Sequence, residues 1–199
     1  HWIPPLHSRY SSQISDQYIY MSTNETTPFQ VTATDGNGTP YAGSPFTISA
    51  ATPISFTIGT GQPTKMFLSL SDVNTVVTGK GVMLQGSKDF YVSFRMRHAS
   101  HAETIISKGK PGIGTSFRLG CTINEIQDNR KNFVASVMAT ENNTSVTLSN
   151  YNTGVIFSSG TGNITADTQT YTLNAGQCIV FSGYSNVNAN LDGIIGGLI

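Results

Sequence analysis

Phe29-Gln-Val-Thr-Ala-Thr34 alternates apolar and polar residues and then stops at Asp35-Gly-Asn-Gly38. Period-2 alternation puts Phe29, Val31 and Ala33 on one face of an extended chain, and a Gly/Asn/Asp cluster closes such a run in a tight hairpin turn. Further short runs, alternating or simply β-rich, occur at Gln17–Met21, Phe46–Ser49, Ile54–Ile58, Phe90–Met96, Phe133–Met138, Ser145–Leu148, Thr170–Leu173 and Cys178–Ser182. Turn-forming stretches such as Asn174-Ala-Gly176, Ser159-Gly160 and Asp192-Gly193 lie between them. No stretch carries three turns of helical periodicity. Asn124–Asn132 comes nearest, and its composition suits a polar loop better. The reading is all-β, built from antiparallel strands with minimal helix.

Composition narrows the function classes. The chain has 199 residues, enough to bury a core without metals or multiple staples. Charged residues make up 11%, against about 25% in ordinary soluble domains. Eleven basic residues balance eleven acidic ones, which argues against a nucleic-acid partner and against a polybasic membrane binder. No apolar run reaches the length of a transmembrane helix, so direct membrane insertion is not expected. Hydrophobic residues at 38% exclude a disordered chain. Two cysteines, Cys121 and Cys178, lack metal-ligand spacing; they read as one disulfide or two thiols, and thiols are favoured.

Three segments recur in order. Met21-Ser-Thr-Asn-Glu-Thr-Thr27 is echoed by Met138-Ala-Thr-Glu-Asn-Asn-Thr144, and Phe46–Phe56 by Tyr171–Phe181. Val77–Leu84 is echoed by Leu191–Leu198. The chain therefore divides into an extended N-terminal segment 1–13, a β-unit 14–97, an irregular connector 98–131 and a second β-unit 132–199. These are two tandem, similar, antiparallel β-sandwich-like units. A counterpart of Asp89–Phe94 is expected after Ile199, which would leave an unpaired apolar edge along Gly193–Ile199.

Several stretches carry a family resemblance: His1-Trp-Ile-Pro-Pro-Leu-His7, Tyr18-Ile-Tyr-Met-Ser-Thr23, Ile106–Phe117, Phe133–Thr147 and Tyr171–Gln177. Together they resemble the IgGFc-binding protein N-terminal domain family, as found at the start of large surface proteins of Bacteroidota. The resemblance implies a secreted module on the exterior of the outer membrane, exported by the type 9 secretion system and associated with adhesion and gliding motility. It implies an extracellular protein or glycan ligand, and secretion and anchoring machinery engaged through other parts of the protein. The family's antibody-binding activity is not carried over, because no binding residues map onto this chain.

Chemistry-bearing clusters are weak. His98-Ala-Ser-His101-Ala-Glu103 is the most metal-like, but it lacks the H-E-x-x-H spacing, and a polar loop is the better reading. Gly109-Lys-Pro-Gly-Ile-Gly-Thr-Ser116 has Thr115 where a phosphate loop needs Lys, and Phe117-Arg-Leu119 follows it as a strand. No G-x-S-x-G elbow is present and no Cys adjoins a His. Asp16, Glu25, Asp89, Glu103 and Glu141 are scattered acids with no sign of a glycosidase pair. Asp35-Gly-Asn-Gly38 could offer oxygens to calcium, but a hairpin explains it better. No catalytic residue, metal or cofactor is therefore assigned. Trp2, Tyr18 and Tyr20 remain candidate binding residues, able to form a stacking platform. The function expected is non-catalytic adhesion; the alternative is a carbohydrate-binding module of a polysaccharide-degrading system.

Overall fold

The computed structural model describes residues 1–100 and 102–199. The fold is all-β, with multiple antiparallel sheets and only single-turn 3-10 helices among the described residues. In chain order the strands are β1 (Trp2–Ile3), β2 (Asp16–Ser22), β3 (Phe29–Thr34), β4 (Phe46–Ile48), β5 (Ile54–Thr60), β6 (Val82–Gly86), β7 (Tyr91–Arg97) and β8 (Ala102–Ser107). They continue as β9 (Asp128–Met138), β10 (Thr144–Leu148), β11 (Phe157–Ser159), β12 (Gly162–Ile164), β13 (Gln169–Leu173) and β14 (Cys178–Ser185).

The first core lies between two four-stranded sheets, ordered β1-β6-β3-β4 and β5-β2-β7-β8. Alternation decides which side chains meet there. Phe29, Val31 and Ala33 of β3 face Ile19 and Met21 of β2 and Val92, Phe94 and Met96 of β7, all buried. One polar side chain enters this layer and is fully satisfied. Gln17 donates to the Gly61 carbonyl at 2.6 Å and accepts from the Thr64 hydroxyl at 2.7 Å.

A second core gathers Phe133, Val146, Leu148, Phe157, Leu173, Ile179 and Phe181 between the β9–β14 pair and the β10–β13 pair. Strand β14 does not alternate: every residue from Cys178 to Gly183 is buried. Its odd positions, Ile179 and Phe181, enter the second core. Its even positions face the rest of the molecule, where Asn132 Nδ2 spans the Ser182 hydroxyl and the His7 carbonyl. A strand covered on both faces reads as a continuous apolar run, which is the pattern of Cys178-Ile-Val-Phe181.

Both edges of β14 are also bonded. One carries β9. The other carries the chain that leaves the first unit: Asn74 N donates to Val180 O at 2.8 Å, Val77 N to Cys178 O at 2.9 Å, and Cys178 N to Val77 O at 3.0 Å. Nearby the two units touch backbone to backbone. Asp35, held by Lys65 at 2.5 Å and by the amides of Asn37 and Thr39, shapes the turn that presents Gly36 to Gly176. Those partners take up the Asp35 carboxylate, so the Asp35–Gly38 stretch is a braced hairpin turn. Burial alone would raise the Asp35 pKa, but the Lys65 and amide bonds outweigh it and hold the carboxyl below its usual value.

The N-terminal segment threads along both units. The His1 ammonium donates to Leu84 O at 2.7 Å, Leu6 N to Met66 O at 2.7 Å, and Arg9 N to Asn132 Oδ1 at 2.9 Å. Within residues 98–131, β8 extends the first unit's sheet and Phe117–Leu119 joins the second unit. That last pairing corrects the expected open edge along Gly193–Ile199. Phe117 N donates to Ile199 O and Leu119 N to Gly197 O, both at 2.8 Å, while Leu198 N donates to Ser149 O on the opposite side.

A side chain on Gly36 would run into the Gly176 carbonyl, although its own backbone is unstrained. Gly36→Ala should therefore lower stability in urea unfolding by about 2–3 kcal/mol. Gly38→Ala, at φ +80° with open space around it, should lose only about 1 kcal/mol. Equal losses would contradict the backbone-to-backbone seam.

Candidate functional site

The outer face of the β5-β2-β7-β8 sheet carries the most exposed large side chains placed by regular structure. Because Ile19, Met21, Val92 and Phe94 point inward, their neighbours Tyr18, Tyr20, Tyr91, Ser93 and Arg95 point out. Strand register sets them in rows. Ile106, Ser93, Tyr20 and Ser55 form one row across β8, β7, β2 and β5. Thr104, Arg95, Tyr18 and Thr57 form the next. Tyr20 is 37% exposed, Tyr91 61% and Ile106 66%.

These groups touch one another. The Tyr18 and Tyr20 rings meet edge-on at 6.1 Å and 62°. The Arg95 guanidinium lies over the Tyr20 ring at 4.4 Å, a cation–π distance. One row further along, Arg97 pairs with Asp16 at 2.7 Å and Thr60 donates to the same carboxylate. The Arg97 bond holds the Asp16 carboxyl below its usual value. At this end a shallow cleft of about 440 Å³ is lined by Ser15, Asp16, Thr60, Arg97, His98 and Ala99. Sheet pairing fixes the backbone of the face, so its aromatic groups are presented at little conformational cost.

Of the three candidates from sequence, Tyr18 and Tyr20 stand side by side here. Trp2 stands elsewhere. It lies on β1, pairs with Met83, and alternates with the buried Ile3, so it faces outward from the opposite sheet with the first core in between. The three do not make one platform. Tyr91, Arg95 and Ile106 were not singled out from sequence; the outward phase of β7, set by Val92-Ser-Phe94, is the signal that locates the first two.

A second concavity of about 230 Å³ sits where the N-terminal segment crosses between the units, lined by His7, Arg9, Gln62, Ser69 and Tyr184 among others. His7 is buried, donates through Nδ1 to Leu68 O at 2.9 Å, and leaves Nε2 without a partner. Desolvation lowers its pKa, offset in part by the Leu68 bond. Arg9 covers the Tyr184 ring at 4.4 Å.

The other sequence clusters dissolve into structure. Glu25 pairs with Lys88 at 3.1 Å, and the Glu141 carbonyl accepts from Thr144 in a turn. Gly109–Ser116 is an exposed single-turn loop. In the His98–Glu103 cluster, His101 lies outside the described residues. Among the described residues no three His, Cys, Asp or Glu converge as metal ligands, and no helix is long and apolar enough to cross a membrane.

Residues 102–196 match the family described as IgGFc binding protein. The match spans just under half of the chain, from β8 through most of the second unit, and the description names a binding protein. No curated protein and no solved structure matches the chain.

Both cysteines are free thiols. Burial pushes the Cys178 pKa up to about 12, and burial also raises that of the half-buried Cys121. A thiolate-selective reagent at pH 8 should modify Cys121 first and reach Cys178 only as the protein unfolds. Modification of Cys178 in the native protein at the rate of Cys121 would contradict its placement.

Proposed function

We propose that the chain is a non-catalytic binding module of a large secreted cell-surface protein, and that it docks an extracellular partner on the outer face of β5-β2-β7-β8. The observation that carries this reading is the open cluster of Tyr18, Tyr20, Tyr91, Arg95 and Ile106 on a braced sheet. Tyrosine and arginine are the side chains that dominate protein–protein contacts, since each combines a large apolar area with a polar group. An exposed sheet face also suits a macromolecular surface better than a small metabolite, which binds in a deep pocket. The wider biological setting belongs to the same proposal: adhesion at the exterior of the outer membrane, export through type 9 secretion, and a link to gliding motility.

Two ligand classes fit such a face, and its geometry separates them. A glycan-binding module stacks sugars on freely exposed ring faces. Here Arg95 covers one face of Tyr20, and Tyr18 meets it edge-on. A protein ligand is therefore favoured over the carbohydrate-binding alternative.

The test presents immobilised extracellular proteins, the Fc fragment of immunoglobulin G among them, and a glycan array to the wild-type chain and to a Tyr20→Ser/Tyr91→Ser/Arg95→Ser variant. All three side chains point outward, so the variant should fold. Expected is retention on a protein surface and a loss of at least tenfold in the variant, about 1.4 kcal/mol. Retention on glycans alone would favour the alternative, and turnover of a polysaccharide would contradict both.

A further inference from the structure

We propose that the second unit is a structural copy of the first that lacks one strand, and that the free edge of β9 at Phe133–Met138 docks an added antiparallel strand with the alternating apolar pattern of β7.

The copy is visible in the registers. In the first unit Phe29 opposes Ile48, Gln30 opposes Thr47 and Val31 opposes Phe46. In the second, Thr144 opposes Leu173, Ser145 opposes Thr172 and Val146 opposes Tyr171. Phe46-Thr-Ile48 and Tyr171-Thr-Leu173 are the echoed sequence segments. Flanking strands correspond too. β6 runs beside β3 with β1 outside it; Leu198 bridges Ser149, with Arg118 outside it. On the far side of each core lies the other antiparallel pair, β2 with β5 in the first unit and β9 with β14 in the second.

The difference lies on the far edge. β2 is central, with β7 opposite β5 placing Phe94 against Ile19 and Val92 against Met21. β9 ends its sheet, with no strand beyond it among the described residues. Hydrogen-bond phase identifies the open groups. Cys178 and Val180 turn their main chains toward Val77 and Asn74, so Ile179 and Phe181 bond β9 at Val137 and Ala135. Ala139, bonded to Gln177 and Gly176, keeps the same phase. The main-chain groups of Val134, Ser136 and Met138 therefore face the open side.

Burial agrees with this. β14, bonded on both edges, is buried from Cys178 to Gly183, whereas its partner β9 is only half-buried from Val134 to Val137. The Ser136 hydroxyl is enclosed there without a hydrogen-bond partner. Proline and inward charges, the usual protection of a strand edge, are absent from Phe133–Met138. Such an edge takes an extended segment by main-chain pairing, with alternate side chains giving selectivity.

The probe is a synthetic peptide with the sequence of residues 88–98, which contains β7, added to the 199-residue chain. Expected is saturable binding with amide exchange at Val134, Ser136 and Met138 slowed at least tenfold. Methylating alternate peptide nitrogens should abolish binding in one phase and spare it in the other. Ser136→Pro, which removes one edge donor and leaves the β14 bonds in place, should also abolish it; if that variant fails to fold, the methylated peptides decide alone. No saturable binding up to millimolar peptide, equal binding of both methylated phases, or protection on β8 instead of β9 would overturn the proposal. Concentration-dependent self-association that protects the same three amides without peptide would assign the edge to a second copy and overturn it as well.

Discussion

Strand β14 has no free side. One edge bonds β9, the other bonds Asn74 and Val77, one face fills the second core, and the other meets the N-terminal segment through Asn132 and Ser182. A backbone taken from water must find a partner for every amide and carbonyl. Among the described residues, the chain leaving the first unit supplies those partners along the outer edge. The requirement brings residues 74–80 alongside β14, and that in turn sets Gly36 against Gly176. Asn74 supplies two further partners from its side chain. It adopts the left-handed region at φ 54°, and its side-chain amide donates to the carbonyls of Ser158 and Ser182. The two cores are thus joined by main-chain hydrogen bonds, which tolerate little displacement.

This rigidity bears on the binding face. A surface that holds a large partner loses affinity if its groups must be ordered on contact. Tyr18, Tyr20 and Arg95 stand on strands pinned by neighbours on both sides, and their mutual contacts limit rotation further. β8 closes that face as an edge strand with Ile106 exposed on it. The cleft around His7 differs in kind. It sits on the crossing of the N-terminal segment, and its lining groups hold the two units together as much as they shape a hollow.

Much of this was legible in the residues, because burial alternates wherever one face of a strand meets a core. β3 and β7 read directly, and so did an all-β chain with only single-turn helices among the described residues. Tyr18 and Tyr20 stood out as candidate stacking aromatics, but their outward face comes from the strand register. Long-range edge pairing was not legible. Phe117-Arg-Leu119 gives no local sign that it will lie against Gly197–Ile199, since main-chain groups carry no sequence code and the partners are about eighty residues apart. Trp2 looked like a companion of the tyrosines because it is near them in sequence, yet a sandwich separates neighbouring strands onto opposite sheets. Tyr91, Arg95 and Ile106 gather only through the β2–β7–β8 register. Cys178–Ser182 read only as one more β-rich run; its continuous burial needs a second covering face from residues 7–9 and 132, far away in sequence.

The account rests on β14 linking both cores into one cooperative body. Native-state amide hydrogen exchange measures this directly, because amides released only by global unfolding share the slowest rate. The amides of Val77, Cys178 and Asn74 should exchange as slowly as those of Phe94 and Phe181, which lie at the centres of the two cores. Exchange at the junction orders of magnitude faster than in the cores, with the two cores differing from each other, would mean that the units open independently and would contradict it.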